Sequence, residues 1–192
     1  MTAQIYEGPR LPPLPESSYD DAQKAALEDF KQTRKVGFSG PWHVFIRSPE
    51  LLTHAQRMGE YLRYRCQLSG RLSELTILLV AREWTQHYEH GTHRGHALKA
   101  GVAPATIDAI IEGRRPEGLA DDEQIVWDFV SELQRTKRVS DTTYAKAYAA
   151  FGEKGVIDLA GIVGYYSLLA LTMNVARVGP PEGEKHLPRF PE

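Results

Sequence analysis

Proline constrains this chain more tightly than any other residue. Pro9, Pro12, Pro13 and Pro15 crowd the N-terminal arm, and Pro180, Pro181, Pro188 and Pro191 crowd the C-terminal tail. The pyrrolidine ring fixes φ and removes a backbone donor, so both segments are expected to be extended and without hydrogen-bond ladders of their own. Between the ends, proline stands where a helix tolerates it. Pro49 follows Ser48 as the first residue after a cap, and Pro104 opens a short helix. The boundaries that follow are an extended arm over 1–16, one helical domain over 17–178 and a tail over 179–192. An isolated tail of this kind is expected to be mobile. Leu11, Leu14, Leu187 and Phe190 are the residues that argue for docking instead.

Within the domain, helix starts and stops recur. Ser17 or Ser18 can cap a helix running to about Lys35, ended by Gly37 to Gly40. Residues 41–47 read as a helical turn, and the helix after Pro49 runs to about Leu68, where Ser69 and Gly70 stop it. Ser73 then caps a segment that Gly101 closes, either one helix or two with a bend, since Gly91 and Gly95 weaken it. Further helices are expected over 105–112, from Asp121 to about Thr136, from Ser140 to Gly152, and over 156–178, the last being the most apolar. No stretch alternates apolar and polar residues long enough for a strand. The fold class is all-α, a helical bundle.

The chain has 192 residues, of which 25% are charged and 42% hydrophobic, with a net charge of -2. That suits one soluble domain and gives no reason to expect nucleic acid or an anionic membrane as partner. Arg57, Arg63 and Arg65, and again Arg135, Lys137 and Arg138, read as solvated helix faces. The N-terminus lacks an apolar run behind a basic start, and the longest apolar run, Leu75 to Ala81, is far too short to span a bilayer. A cytoplasmic protein is expected. The single cysteine, Cys66, excludes an internal disulfide and a two-thiol redox centre, and reads as a half-buried small hydrophobe.

The chemistry concentrates between Glu83 and Gly101. At about 100° per residue, Gln86, Glu89 and His93 share one narrow stripe, which continues the apolar line of Leu75, Leu78 and Leu79 and runs on to Ala97. Polar groups on a buried line must be paired or must line a pocket. Glu89 and His93 stand one turn apart, so the carboxylate can orient the imidazole and raise its basicity. The bland alternative is a surface helix with ordinary pairs four residues apart. His87, His90, His93 and His96 recur every third residue and fan across half the helix, so one metal cannot take all four. No metal or other cofactor is called for. Trp42 and His43 beside a turn, Tyr88 next to Glu89, and Tyr165, Tyr166 and Asn174 on the last helix are candidate substrate contacts or satisfied core groups. Arg82 and Arg94 could hold a substrate carboxylate.

Glu74 to Arg82, Tyr88 to His93 and Ala97 to Val102 together resemble the carboxymuconolactone decarboxylase / alkylhydroperoxidase D-like family. Gly40-Pro41-Trp42, Ser48 to Leu51, Val139 to Asp141, Phe151 to Glu153 and Gly164 to Tyr166 look like a longer subgroup of it, so the likeness covers roughly residues 38–178. The resemblance implies an alkylhydroperoxidase D-like bundle and a homo-oligomer, trimer or hexamer, with sites near subunit contacts. In the redox branch a glutamate precedes a Cys-x-x-Cys pair and a histidine. Glu74 and His93 match that glutamate and histidine, but Gln86 and Glu89 stand in place of the cysteines. A peroxide-reducing cycle needs one thiolate to attack and another to resolve, so thiol peroxidase activity is disfavoured. What remains resembles the decarboxylase side: a lyase or acid–base enzyme on a small carboxylated or lactone-type metabolite. His93 would be the acid/base, with Glu89 orienting it or shuttling the proton, and Gln86 with an arginine binding substrate oxygens. Glu74 lies off the helical stripe and enters the catalytic set through the resemblance alone. The rivals are a non-catalytic binding member of the family and a metal-dependent enzyme using Glu89, His93 and His43.

Overall fold

The computed structural model describes residues 8–34 and 36–188. Among them are eight α-helices and no strand: α1 (Asp21–Thr33), α2 (Pro41–Phe45), α3 (Pro49–Tyr64), α4 (Gly70–Glu83), α5 (His87–Ala100), α6 (Pro104–Ile111), α7 (Asp121–Thr136) and α8 (Asp141–Ala176). The chain is therefore an all-α bundle.

Helix α4 sits at the centre, its run from Leu75 to Ala81 apolar but for Thr76. Each residue from Leu72 to Arg82 is buried, so the polar Ser73, Glu74, Thr76 and Arg82 are enclosed with it. It packs against α5, α6, α7 and α8, while α1 pairs with α3, and α2 wedges between α3 and α8. Helix α8 supplies the second half of the core through Leu159, Ile162, Tyr165, Leu169 and Met173. Its two expected segments run end to end across Gly152, whose φ of 64 and ψ of -179 break the helical geometry. By length and composition alone α8 could cross a membrane, although 56% of its apolar window is buried inside the protein. This window contains no long unbroken apolar run, because glycines, tyrosines and a serine interrupt it.

Several helix starts differ from expectation for the same reason: a better cap lies nearby. Asp20 rather than Ser17 or Ser18 begins α1, its carboxylate accepting from Gln23 N while Gln23 Oε1 accepts from Asp20 N. Ser69 begins α4 by accepting from Leu72 N, so Ser69 and Gly70 start a helix instead of ending one, and Ser73 is buried inside it. Helix α3 correspondingly ends at Tyr64.

Both tails dock where they are described. Arg10 N donates to Ala176 O at 2.8 Å, Arg47 Nη2 donates to Pro12 O at 2.5 Å, and Leu14 packs against the core. At the other end Leu187 is buried, its N donates to His87 Nδ1 at 3.1 Å, and His186 packs edge-on against His87. Phe190 lies outside the described residues.

Candidate active site

The chain does not run straight from α4 into α5. It turns at Trp84, Thr85 and Gln86, and Gln86 becomes the cap of α5. Its Oε1 accepts from Glu89 N at 3.0 Å, its Nε2 donates to Asn174 Oδ1 at 3.3 Å, and Asn174 Nδ2 donates to Trp84 O at 2.9 Å. Gln86 and Asn174 thus secure the turn, and neither lines the cavity described next. A helical stripe drawn unbroken through residues 73–100 loses its phase at this turn. The consequence is that Glu74 swings onto the same site as Glu89 and His93.

That site is the inner wall of a partly enclosed cavity of about 190 Å3. The segment after α1 contributes Arg34 and Ser39, α2 contributes Trp42, and α3 contributes Arg63. Helix α5 contributes Tyr88, Glu89, His93 and His96, and α8 contributes Tyr165, Tyr166 and Leu169. Four charged or titratable side chains form a string, three of them (Arg63, His93 and Glu89) at the wall and Glu74 behind it. Arg63 Nη2 lies 3.3 Å from Glu74 Oε1, and Glu74 Oε2 lies 2.6 Å from His93 Nδ1. His93 Nε2 lies 3.4 Å from Glu89 Oε2. Tyr166 presents its edge to the His93 ring at 5.2 Å between centroids, fixing the imidazole plane.

The protonation states follow from burial and partners. Burial pushes the Glu74 carboxyl up, but the hydrogen bond from His93 and the charge of Arg63 outweigh it and hold the group below the ordinary carboxylate range. Glu74 is then an acceptor only, so His93 carries its proton on Nδ1 and offers the Nε2 lone pair. Burial keeps that imidazole neutral by lowering its pKa, against the opposing pull of Glu74. Glu89 has no Lys or Arg within bonding distance among the described residues. Burial raises its carboxyl to about 8, with Glu74 adding to the rise and Arg63 opposing it. At neutral pH the string reads guanidinium, carboxylate, neutral imidazole, carboxylic acid. A carboxylic acid held beside an imidazole with a free lone pair can release or take a proton without water.

The structure brings Glu89, His93, Trp42, Tyr88, Tyr165 and Tyr166 to one cavity wall, with Glu74 behind it, bonded to His93 and Arg63. Other expected contacts lie elsewhere. His43 follows Trp42 on α2, so it points about 100° away and packs edge-on against Phe38. Arg82 is buried on another side of α4, with Nη1 donating to Thr85 Oγ1, and Arg94 is exposed. The histidines also separate: His87 meets the C-terminal tail, His90 is buried on another face with burial lowering it to about 4, and His96 sits at the cavity rim. No group of three or more metal-ligating side chains occurs among the described residues. Cys66 is half-buried, contacting Leu68 O and Ser73 Oγ, and does not line the cavity.

Arg34 and Arg63 also line the cavity, and no motif or spacing in the sequence marks them. Arg63 is no solvated surface charge, because its side chain is only 15% exposed against Glu74. Arg34 caps the C-terminus of α1 in extended conformation, stacked over Trp42 at 5.1 Å. Spacing cannot announce either one, since each reaches the site from a helix remote in sequence.

Gly40 shapes the cavity mouth. Its φ of 58 and ψ of -121 suit glycine alone, and a Cβ there would fall 2.1 Å from the Tyr88 ring. That ring is tied to Ser39 Oγ by its hydroxyl at 2.8 Å. Gly40→Ala is expected to destabilise the protein by about 2–3 kcal/mol, combining backbone strain with a displaced aromatic wall. Urea unfolding of the variant measures this.

No protein-family model matches this chain, and no curated protein matches it.

Proposed function

We propose that the protein is an acid–base enzyme, a lyase or close mechanistic relative, acting on a small carboxylated or lactone-type metabolite. The observation that supports this reading is the string Arg63–Glu74–His93–Glu89, with a neutral carboxyl group at its end and a cavity in front of it. Glu74 fixes the imidazole tautomer and orientation. Glu89 is the group that gives a proton to substrate carbon, and His93 Nε2 takes or returns that proton. In a decarboxylation the bond to the departing carboxylate breaks, its electron pair enters a neighbouring carbonyl, and the carbon then accepts the Glu89 proton. In an isomerisation the proton leaves one carbon and returns at another. Neither path changes oxidation state overall, and neither needs a thiol. The resemblance to carboxymuconolactone decarboxylases supports the same chemistry and extends the proposal to a trimeric or hexameric homo-oligomer. Ile157, Leu171 and Val175, exposed on α8, supply an apolar surface suited to such a contact.

His93→Ala and Glu89→Gln, assayed against a panel of carboxylated lactones, test the reading. Each should lower turnover by about a hundredfold or more, the usual contribution of a positioned acid or base. Unchanged turnover in both overturns the assignment.

A further inference from the structure

The two cations at the cavity are not equally paired. Two guanidinium groups, Arg34 and Arg63, line it. One carboxylate, Glu74, answers Arg63. Arg34 is 7% exposed and has no carboxylate partner among the described residues. Its Nη1 donates to Gln56 O at 3.2 Å, its guanidinium stacks on Trp42, and its Nε is buried with no partner among the described residues. Burying a charge without a counter-charge is expensive, and leaving a donor unmade adds to that. Arg34 thus brings a buried positive charge without a carboxylate partner to the edge of one small space.

We infer that this cavity binds the carboxylate of a singly charged, one-ring ligand, held by the Arg34 guanidinium. The inference builds on the proposed function by naming what fills the site, but it stands on charge and volume rather than on turnover. Size sets the ring: benzene fills a cavity of about 150 Å3, and the space here is about 190 Å3. Charge sets the valence. One negative charge neutralises Arg34, while a second has no free cation to meet, because Glu74 occupies Arg63. A neutral ligand leaves Arg34 as it is. Held in this way the carboxylate is a handle. The guanidinium stabilises it and opposes its loss as CO2, so of the two paths above this ligand takes the isomerisation, and the carbon receiving the Glu89 proton lies elsewhere on the ring.

Glu89 makes the site responsive to pH. The groups facing it are Arg34 after α1, Arg63 on α3, Glu74 on α4, His93 and His96 on α5, and Tyr165 and Tyr166 on α8. Once Glu89 ionises, its own carboxylate supplies the missing negative charge and competes with the ligand.

Isothermal titration calorimetry with benzoate, its neutral isostere benzamide and the dianion isophthalate tests the inference on the wild-type protein. Benzoate is expected to bind at least about tenfold more tightly than either, the usual worth of a charge-assisted hydrogen bond, and to weaken as pH rises past about 8. Arg34→Met should reduce benzoate to the level of benzamide, and Arg34→Lys should restore part of the difference. Benzamide or isophthalate binding as well as benzoate, or no benzoate binding at millimolar concentration, overturns the inference even if Arg34→Met fails to fold. Selective benzoate binding without turnover of any lactone defeats the enzymatic reading and leaves the carboxylate site standing. Turnover without carboxylate preference does the reverse.

Discussion

Glu74→Gln should destabilise the protein by about 3 kcal/mol at neutral pH, the low end of what removing one partner of a buried ion pair costs. The substitution keeps the shape of the side chain, so packing is preserved and no cavity opens. What disappears is the charge. Arg63, 15% exposed at its side chain, keeps its positive charge with no carboxylate beside it. His93 Nδ1 then faces an amide in place of a carboxylate at 2.6 Å. An amide can turn its NH2 toward the ring, which would move the imidazole proton to Nε2 and remove the lone pair that faces Glu89. Turnover should therefore fall together with stability. The pH dependence separates charge from packing. The Glu74 pKa is held below its ordinary value in the folded chain, so its stabilisation is present above that ordinary value and is lost as pH falls through the folded one. Urea unfolding at neutral pH and in acid should show the gap between wild type and variant closing in acid. A gap of equal size at both would mean that the carboxylate contributes only shape.

The part of this site that the sequence discloses is the part that lies on one helix. Glu89 and His93 are one turn apart on α5, and ordinary helical spacing brings them together. Helix α4 was equally legible as a core element, since an apolar run broken only at Thr76 has nowhere else to go. The errors arise where phase changes or where distant segments meet. The turn from Trp84 to Gln86 resets the helical wheel, so Gln86 leaves the site to cap α5 and Glu74 enters it. Arg34 and Arg63 reach the cavity from the end of α1 and from α3, and no periodicity within α1 or α3 encodes that encounter. The C-terminal tail shows the same limit. Leu187 is one apolar residue among prolines, and its burial depends on the surface that α5 offers around His87.

Glu89→Gln should have the opposite effect on stability from Glu74→Gln, and the comparison separates the two carboxyl groups by role. Burial raises Glu89 to about 8, far above the ordinary value of 4.5. Between those two values the folded chain keeps a proton that the unfolded chain releases, so stability falls as pH rises through this window. The contribution of the protonated group is intact below pH 4.5 and gone above about 8. Glutamine imitates the protonated acid in shape and never ionises. The variant should therefore match wild type near pH 4.5 and exceed it above pH 8 by an amount on the order of 4 kcal/mol. Thermal unfolding at the two pH values measures the difference directly. An acid that must stay neutral in a dry site is kept there at the expense of the fold, so losing it should raise stability while abolishing proton delivery. If Glu89 were instead ionised and paired with Arg63, its replacement would strand a buried guanidinium, and the variant would be the less stable protein at high pH. The sign of that one difference decides whether the end of the string is an acid or half of an ion pair.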